Sequence, residues 1–312
     1  MDAGTQGCPV CGSARVRDVG PVFHPEPALV AGVAIDLRGM EFRLLECESC
    51  RFRFKRPAIP DQMLLDCYAK ADAGNWGVEP DPIGRRFDDL LNVVRRHAPS
   101  TLSRPIRVLD VGCFNGAMLK HFGDSFERFG VEPSREAAAM ASSRGINMLG
   151  DTIEHIEGRD GFFDVIISVD VLEHINDPDP FFQRVSRLLQ GGQHPGVFIC
   201  MTGDADAPAF RLNGGLHWYV SALPEHVSFW NRSSLNAAGK RCGLGIIEHR
   251  RMSHDRLYRR DWLGQTARNL AFAAVRSIGG LHLPILKRRF ARRGAPSWIA
   301  SADHMICVLR RP

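Results

Sequence analysis

The sequence predicts an α/β fold, in which helices flank a mainly parallel sheet and a small cysteine-rich module precedes it. From Ile106 onward, short apolar runs alternate with amphipathic segments, as they do in open α/β sheets. A glycine-rich turn follows the first of these runs, and two Cys-x2-Cys pairs lie near the N-terminus. The 312 residues are 44% apolar and 24% charged, which excludes collagen-like, low-complexity and mostly disordered classes.

Changes of composition divide the chain into three regions. Residues 1–60 are rich in Cys, Pro and Gly, and residues 61–100 predict a helical linker or lid because apolar residues recur there at helical spacing. Residues 101–312 predict the α/β domain, with a basic helical insertion at about 251–300 before the last strand. The strands expected in this domain are 107–111, 128–132, 163–169, 196–201, 243–249 and 304–309.

Neither export nor a membrane span is indicated. No apolar run approaches the roughly 18–20 residues that cross a bilayer. The N-terminus lacks the basic and then apolar pattern of a secretory signal. We therefore expect a cytoplasmic protein with reduced cysteines, and peripheral contact with the inner membrane is an alternative.

The positive charge is concentrated near the C-terminus. The net charge is +5, but residues 240–312 hold 16 Lys and Arg against 4 Asp and Glu. Such a basic tail suits nucleic acid, an anionic membrane or a phosphorylated substrate, and it equally suits a solvated surface. The charge distribution is therefore compatible with several kinds of partner and does not distinguish between them.

Four cysteines form two knuckles that predict a metal site. Cys8 and Cys11 make one Cys-x2-Cys pair, and Cys47 and Cys50 make the other. Two such turns supply the four thiolates of a tetrahedral Zn²⁺ site, and four sulfur ligands leave no open position for catalysis. A redox motif or four unrelated buried cysteines are the less favoured alternatives. We therefore expect a structural zinc ion in a zinc-ribbon-like module over residues 1–60.

Acidic residues follow the glycine-rich turn at the ends of successive strands. The turn at 110–116 reads Asp-Val-Gly-Cys-Phe-Asn-Gly, and Glu132 closes the next predicted strand. Asp151 follows a further short strand, the third along the chain, and Asp170 follows the fourth, at 163–169. Ligands of open α/β sheets bind at the carboxyl ends of the strands, so these residues are expected to converge on one site. Alternatively, they are solvated strand ends or helix caps.

These motifs resemble those of class I S-adenosylmethionine-dependent methyltransferases. The resemblance rests on DVGCFNG at 110–116, GVEPS at 130–134, GD at 150–151 and FDVIISVDVLEHINDP at 163–178. It implies a Rossmann-like seven-stranded sheet, with S-adenosylmethionine as the cofactor. By this likeness, the turn holds the methionine end of the cofactor and Glu132 holds the ribose. Asp151 and the Thr152 amide meet the adenine, and Asp170 and Leu172 lie beside the sulfonium. The implied cofactor-binding residues are Asp110, Gly112, Cys113, Gly116, Glu132, Asp151, Thr152, Asp170 and Leu172.

Two histidines are candidates for the base that an alcohol, phenol or carbon acid needs during methyl transfer. Histidine suits this role because its pKa lies near neutral pH. His174 follows the fourth strand, and Glu225 and His226 follow the fifth, where class I enzymes often place substrate contacts. The alternative is that these residues cap helices. We predict that His226, Glu225 and His174 are the catalytic residues.

A narrower resemblance concerns bacterial methyltransferases with an N-terminal zinc module. The knuckle at 44–54 precedes Tyr68, and a Glu-His pair follows the fifth strand, as in sugar C-methyltransferases of deoxysugar pathways. Those enzymes carry a further C-terminal domain that this chain is too short to hold. The likeness implies a sugar, nucleotide sugar or glycolipid-linked acceptor and a role in polysaccharide biosynthesis. Tyr68, Trp218 and Tyr219 are the expected substrate contacts, although the tryptophan could be part of the core.

The basic insertion has two interpretations. Leu263, Ala267, Leu270, Ala274 and Ile278 fall on one helical face, surrounded by arginines. This pattern suits a helical lid packed on the sheet, and it also suits contact with an anionic inner membrane.

Two other functions compete with a small-molecule methyltransferase. The first is an RNA methyltransferase that uses the zinc module and the basic tail, but the Asn/Asp-Pro-Pro-aromatic signature of base amines is not found, so nucleic acid is the less favoured partner. The second is a non-catalytic scaffold that only binds the cofactor.

Overall fold

The computed structural model describes residues 7–71, 85–99, 102–192, 194–213, 218–253, 259–277 and 296–312. Within these ranges the strands are β1 Val16–Pro21, β2 Ala28–Val30, β3 Val33–Ile35, β4 Arg43–Cys47, β5 Arg53–Arg56, β6 Ile106–Val111, β7 Phe126–Val131, β8 Asn147–Met148, β9 Val165–Val169, β10 Val197–Gly203, β11 Ser228–Phe229, β12 Gly245–Met252 and β13 His304–Arg310.

The helices alternate with the strands of the larger sheet. They are α1 Asp61–Lys70, α2 Arg85–His97, α3 Ala117–Lys120, α4 Arg135–Ser143, α5 Pro178–Leu188, α6 Pro208–Leu212, α7 Trp218–Ser221, α8 Arg232–Arg241 and α9 Arg259–Ser277. Short 3₁₀ helices cover Ile153–His155, Leu172–His174 and Ile299–Ser301. No helix in the described ranges is long and apolar enough to cross a membrane.

A seven-stranded sheet forms the centre of the α/β domain and confirms the predicted fold class. Its strand order is β12-β13-β10-β9-β6-β7-β8. Neighbouring strands are parallel except β13, which is antiparallel to both β10 and β12. The strand order reverses direction at β6, since β7 lies on one side of it and β9 on the other. Open α/β sheets bind their ligands at such a switch point.

Apolar side chains fill both faces of this sheet. Ile166 packs in the cluster on one face and Ile167 in the cluster on the other, and neither side chain is exposed. The alternation follows from the strand period of two residues. A strand buried on both faces also explains the unbroken apolar run from 165 to 167.

Polar caps fix where the helices begin. The Ser134 hydroxyl accepts a hydrogen bond from the Ala137 amide at 3.3 Å, as expected of an N-cap at this position. Asn231 and Ser234 form a reciprocal capping box at the start of α8. Both helices therefore begin directly after a polar capping residue.

The cysteine-rich module and the α/β domain share a sheet. Strands β1, β4, β5 and β11 form a four-stranded sheet, and β11 belongs to the segment after the fifth strand of the larger sheet. Ser228 pairs with Phe54, and Phe229 pairs with Arg53. The module is thus joined to the domain by strand pairing as well as by the covalent chain.

The described part of the insertion differs from its predicted bounds. Strand β12 extends to Met252, so the insertion begins after that residue, and α9 is its described helix. Helix α9 packs against α6 and the Ile299–Ser301 turn. The lid interpretation, in which the Leu263–Leu270 face packs on the sheet, does not agree with this arrangement, because Leu263 and Leu270 are 62% and 53% exposed. Ile278 lies outside the described residues.

Candidate active site

A cavity of about 670 Å³ opens at the carboxyl ends of β6, β7 and β9. The glycine-rich turn and the ends of these strands form one wall, and helix α1 supplies Leu64 and Tyr68 from the opposite side. The volume falls in the range of small-molecule and cofactor sites. The strand ends therefore converge on a site large enough for a nucleoside-containing ligand.

The glycine-rich turn allows close approach of its backbone to neighbouring segments. Gly112 has φ of 72°, and a Cβ there would lie 2.7 Å from Cγ2 of Val171. Gly116 has φ of 73°, and its Cβ would lie 2.9 Å from Ile146. Side chains other than hydrogen are excluded at both positions on grounds of space and of conformation. Cys113, also predicted as a site residue, is buried beside the cavity, and burial raises the pKa of its thiol.

Glu132 bridges the turn and the start of α4. Its Oε2 accepts a hydrogen bond from the Phe114 amide at 2.9 Å, and Oε1 accepts one from the Ser134 amide at 2.8 Å. Burial raises the pKa of this carboxyl group, although the two amide hydrogen bonds oppose the rise. Each carboxylate oxygen retains a further lone pair that a ligand hydroxyl can use.

Asp110 lies at the end of β6 and lines the same cavity. Its side chain is 3% exposed, and Oδ1 has no hydrogen-bond partner within the described ranges. Burial, together with the nearby charge of Glu132, raises the pKa of Asp110 well above its ordinary value. A buried carboxylate without a partner is costly, so the site favours a cationic or hydrogen-bond-donating ligand at this point.

Asp151 and Thr152 stand at the exposed rim of the cavity. The Asp151 Oδ1 accepts hydrogen bonds from the Thr152 amide and from His155 Nδ1, both at 2.8 Å. The His155 side chain lowers the pKa of Asp151. His155, which sequence reasoning missed, lines the cavity here. The Thr152 amide, proposed for the adenine, is already engaged by the neighbouring carboxylate.

The two residues expected beside the sulfonium lie in different environments. Asp170 lines the cavity, and its φ of 52° is typical of a residue in a tight turn. Leu172 has no exposed surface and packs in the core. Its carbonyl oxygen accepts hydrogen bonds from Trp230 Nε1 and from the Ser228 hydroxyl. Of the predicted pair, the geometry brings the aspartate to the cavity and gives the leucine a packing role.

His174 meets Tyr68 at the cavity wall. The Tyr68 hydroxyl oxygen lies 2.9 Å from His174 Nδ1, and the Glu225 carbonyl oxygen lies 3.2 Å from the same nitrogen. Burial lowers the pKa of His174 to about 4. Burial also raises the pKa of the Tyr68 phenol, with the charges of Glu225 and Glu173 as further causes. At neutral pH the pair is therefore a neutral imidazole beside a neutral phenol.

His226 and Glu225 lie next to this pair. The His226 ring centroid is 4.8 Å from that of His174, in an edge-on arrangement. Glu225 is 6% exposed, and burial raises the pKa of its carboxyl group. Glu225 Oε2 has no hydrogen-bond partner among the residues that the structure describes. The three predicted catalytic residues thus come together, with His174 on the cavity wall.

The predicted aromatic contacts lie farther into the protein. Tyr219 is 3% exposed, and its ring centroid is 5.6 Å from His226. Trp218 is half-buried and packs edge-on against Tyr219 at 5.7 Å. Residues 214–217, which precede them, lie outside the described ranges. The described contacts of these two rings are those of a supporting layer behind the histidines.

The comparisons with known proteins agree with this geometry. A family profile described as "Methyltransferase domain" matches residues 83–249 of the chain. The chain belongs to this methyltransferase family.

Individual relatives of this methyltransferase are distant. The ubiquinone biosynthesis O-methyltransferase of Cereibacter sphaeroides (strain KD131) is 25% identical over 164 residues, which cover 47% of this chain and 64% of that protein. The protein of the same name from Maricaulis maris is 26% identical over 192 residues, covering 56% and 73%. Phosphoethanolamine N-methyltransferase 2 of Haemonchus contortus, solved with S-adenosyl-L-methionine, shares the fold with a TM-score of 0.50 at 19% identity, covering 83% of this chain and 62% of that one.

A buried cluster behind the cavity includes a residue of the methyltransferase that sequence reasoning missed. His304 begins β13, with Nδ1 at 3.1 Å from Asp303 and Nε2 at 3.8 Å from Asp170. Burial disfavours the protonated imidazole of His304 and lowers its pKa. The neighbouring carboxylates stabilise the protonated form more strongly, so the pKa of His304 is raised overall. The only signal in the sequence is a polar Asp-His pair before an apolar strand.

Glu173 belongs to the same cluster. Its Oε2 accepts a hydrogen bond from the Thr202 hydroxyl at 2.8 Å. Burial, and then the charge of Asp170, raises the pKa of Glu173 to about 7. Ligand atoms of Glu173, His174 and His226 lie within 4.8 Å of one another. Titratable groups therefore concentrate on one side of the cavity.

The four predicted zinc ligands also meet in the methyltransferase. The sulfur atoms of Cys8 and Cys50 are 3.5 Å apart, as are those of Cys11 and Cys47. All four sulfurs lie within 4.8 Å of one another. Zinc–sulfur bonds of about 2.3 Å in a tetrahedron place the sulfurs about 3.8 Å apart, so the donor set fits Zn²⁺. Arg51, directly after the second knuckle, has φ of 62°, a conformation that ordinarily favours glycine.

Proposed function

We propose that this protein transfers a methyl group from S-adenosylmethionine to a small-molecule acceptor. The observation that carries the proposal is the buried Oδ1 of Asp110, which has no hydrogen-bond partner among the described residues and lies beside Glu132 in one cavity. One carboxylate suits the ammonium group of the cofactor's methionine end, and the other suits the two ribose hydroxyls. Glu132 also disfavours a 2′-phosphate, because two anionic groups would meet there.

The rest of the cofactor site follows from the backbone. The closely packed turn at Gly112 and Gly116 leaves no side chain between the backbone and a ligand at the end of β6. Asp151 and Thr152 stand at the rim, where they would border the adenine. The bound cofactor supplies a methyl group on a positively charged sulfur. Catalysis of such a displacement rests mainly on alignment of the acceptor.

The Tyr68–His174 pair would take up the acceptor's proton. His174 is neutral at neutral pH because its pKa is about 4. A proton that the Tyr68 hydroxyl relays would go to Nδ1 in the tautomer that carries its hydrogen on Nε2, and in that tautomer Nδ1 does not donate to the Glu225 carbonyl. Both residues line the cavity. Glu225 and His226, the other two predicted catalytic residues, would support this pair from behind through the ring contact of the two histidines.

A carbohydrate-type molecule is our proposed methyl acceptor. The resemblance to sugar and polysaccharide methyltransferases favours a sugar, nucleotide sugar or glycolipid-linked acceptor. An acceptor of the last kind would also account for peripheral contact with an anionic membrane. A phenolic ring is the second candidate, because Leu64, Ile175 and Phe181 make the α1 side of the cavity apolar. Relatives named ubiquinone biosynthesis O-methyltransferases point the same way.

RNA is a poorer acceptor on structural grounds. The basic run at 51–56 would have to present its charges to phosphates. Arg53 and Lys55 are instead 5% and 1% exposed, and they donate hydrogen bonds within the protein. We therefore keep the Cys module as a structural zinc site, with Cys8, Cys11, Cys47 and Cys50 as ligands.

Calorimetry with S-adenosylhomocysteine tests the proposal directly. Wild-type protein should bind one equivalent, and Asp110→Asn should weaken binding because the amide cannot pair with an ammonium group. Release of S-adenosylhomocysteine should then be measured with nucleotide sugars, lipid-linked glycans and catechols as candidate acceptors. Absence of binding to folded, zinc-loaded protein overturns the function, and turnover with catechols alone selects the second candidate.

A further inference from the structure

Helix α9 buries Gln265, Asn269 and Phe272 on its inner side and exposes an apolar stripe on its outer side. Asn269 has no exposed surface and Gln265 is 8% exposed, whereas Trp262, Leu263 and Leu270 are 47%, 62% and 53% exposed. Helices on globular proteins ordinarily have the reverse arrangement. An exposed apolar stripe next to a buried amide face indicates an interaction surface.

Hydrogen bonds fix this orientation. The Asn269 Nδ2 donates to the Gln265 carbonyl at 2.9 Å and to the Ser297 carbonyl at 3.1 Å, while Oδ1 accepts from Asn213 at 2.8 Å. One turn before Asn269 in α9, the Thr266 hydroxyl accepts a hydrogen bond from Trp298 Nε1 at 3.2 Å. Rotating α9 to bury its leucines would break this network and leave buried amides without partners.

The exposed stripe is continuous along the helix. Leu263, Ala267, Leu270 and Ala274 follow one another at helical spacing, and all four are exposed. Arg260 and Arg268 are exposed on the same helix. The next 18 residues of the sequence, 278–295, add five Lys and Arg and no Asp or Glu. Apolar side chains with a basic border and an exposed tryptophan match a helix that lies in a membrane interface.

We propose that α9 docks on an anionic lipid surface, with Leu263 and Leu270 in the acyl region and Arg260 and Arg268 at the headgroups. The charge on the helix favours this occupant over a second copy, which would bring the same basic border against itself. This surface does not depend on the identity of the methyl acceptor.

Vesicle co-sedimentation of the full-length protein tests the surface. Wild-type protein should bind vesicles of equal parts phosphatidylglycerol and phosphatidylcholine, and binding should fall at least tenfold on pure phosphatidylcholine. Leu263→Glu/Leu270→Glu should lose the binding at least tenfold. Leu29→Glu/Ile247→Glu is the matched control, because it makes the same change at residues that are 48% and 43% exposed elsewhere.

Three results overturn the proposal. The first is no binding of wild-type protein to anionic vesicles, and the second is equal loss of binding in the control. The third is dimerisation of wild-type protein in sedimentation velocity that only Leu263→Glu/Leu270→Glu abolishes, because a second copy then covers the stripe. S-adenosylhomocysteine affinity should be unchanged in both variants, which separates this outcome from failure of the proposed function.

A second inference comes from a lysine in the Cys module and rests on the proposed function. Lys55 is 1% exposed, and its Nζ donates to the Leu223 carbonyl at 3.0 Å and the Pro224 carbonyl at 3.4 Å. These carbonyls directly precede Glu225 and His226. The Lys55 amide also donates to the Val227 carbonyl at 2.9 Å. One residue of the module thus holds both ends of the Glu225–His226 loop.

The other side of the loop is held by the active-site turn. The Val227 amide donates to the Glu173 carbonyl at 2.8 Å, and His174 Nδ1 contacts the Glu225 carbonyl. The loop is therefore fixed between β5 and the Leu172–His174 turn. We infer that Lys55 is a positioning residue, which places the His226 ring and the Glu225 carbonyl against His174.

Lys55→Met keeps the length of the side chain and removes its donor. We expect hydrogen exchange of residues 223–229 to accelerate at least tenfold and kcat to fall at least tenfold, with KM for S-adenosylmethionine within about twofold of wild type. Lys55→Arg should recover part of kcat. Arg53→Met is the control, since Arg53 is buried in the same strand and donates to Glu46 and to the Ala205 carbonyl, not to the loop.

Unchanged exchange at 223–229 in a folded Lys55→Met variant overturns this role. Equal acceleration in Arg53→Met also overturns it, because the effect would then be general loosening of the module. Loss of S-adenosylhomocysteine binding in wild-type protein would instead count against the proposed function, so the two failures are distinguishable.

Discussion

The Tyr68 hydroxyl and the His174 imidazole are in hydrogen-bond contact at 2.9 Å, although 106 positions separate them in the chain. The tyrosine comes from the helix before the sheet, and the histidine comes from the turn after β9. Both side chains line the cavity at the strand ends. Four predictions follow from this pair and its surroundings.

Replacing Tyr68 with Phe removes the hydroxyl and keeps the ring. We expect kcat to fall about 100-fold, the lower end of the range for general acid–base groups. Calorimetry should show S-adenosylhomocysteine affinity close to wild type, because the hydroxyl is not among the groups assigned to the cofactor. Undiminished turnover would remove Tyr68 from the proton path.

The acid limb of the kcat profile should lie far below the ordinary histidine pKa. His174 has a pKa of about 4, so its neutral form persists down to that pH and is lost only below it. Activity should therefore be retained when the pH falls from about 7 to about 5.5, where an unperturbed histidine would already be mostly protonated. Circular dichroism at each pH excludes unfolding. An acid limb near about 6.5 would contradict the assignment.

Glu173 should make stability depend on pH. Its pKa is about 7 in the folded protein, above the ordinary glutamate value of 4.5, so the folded state retains a proton that the unfolded state has lost. Stability should therefore fall as the pH rises from about 4.5 to about 7, by at most about 3 kcal/mol. Urea unfolding of wild type and Glu173→Gln at several pH values measures the effect. The variant should lack this decrease, and an identical pH dependence in both would be inconsistent with the shift.

Glu132→Gln should weaken the binding of S-adenosylhomocysteine. The amide nitrogen would face the Phe114 or Ser134 amide, which needs an acceptor, and the carboxylate would no longer accept ribose hydroxyls. Loss of one or two hydrogen bonds to a charged group corresponds to about 10- to 100-fold in Kd. Calorimetry checks this against Glu127→Gln, since Glu127 lies on the same strand with an exposed side chain. Equal affinity of all three proteins would exclude Glu132 from the site.

Much of the wall of the cavity at the strand ends could be predicted because it depends on local sequence. Strand period, glycine positions and strand ends determine where Asp110, Glu132 and Asp170 lie, and the sheet order places their strand ends together. Leu172 shows the limit of this reasoning. Its neighbour in the motif lines the cavity, but the turn directs the leucine side chain into the core.

Contacts between distant segments were harder to predict. His304 meets Asp170 only because β13 enters the sheet beside β10, which residue spacing does not reveal. In α9 the helical period correctly predicted the apolar stripe. Of the two interpretations of this stripe, inward packing as a lid disagrees with the structure, because the Asn269 network occupies the inner side.

The pairing of β5 with β11 affects how this protein can be divided. A truncation that begins after residue 60 would remove the partner of Ser228 and Phe229 and expose the edge of a strand beside Trp230, which has no exposed surface. Exposed strand edges invite aggregation. A chimera that exchanges the Cys module between relatives would therefore need a matching β11. The two segments have to be exchanged together, although 171 residues separate Arg56 from Ser228.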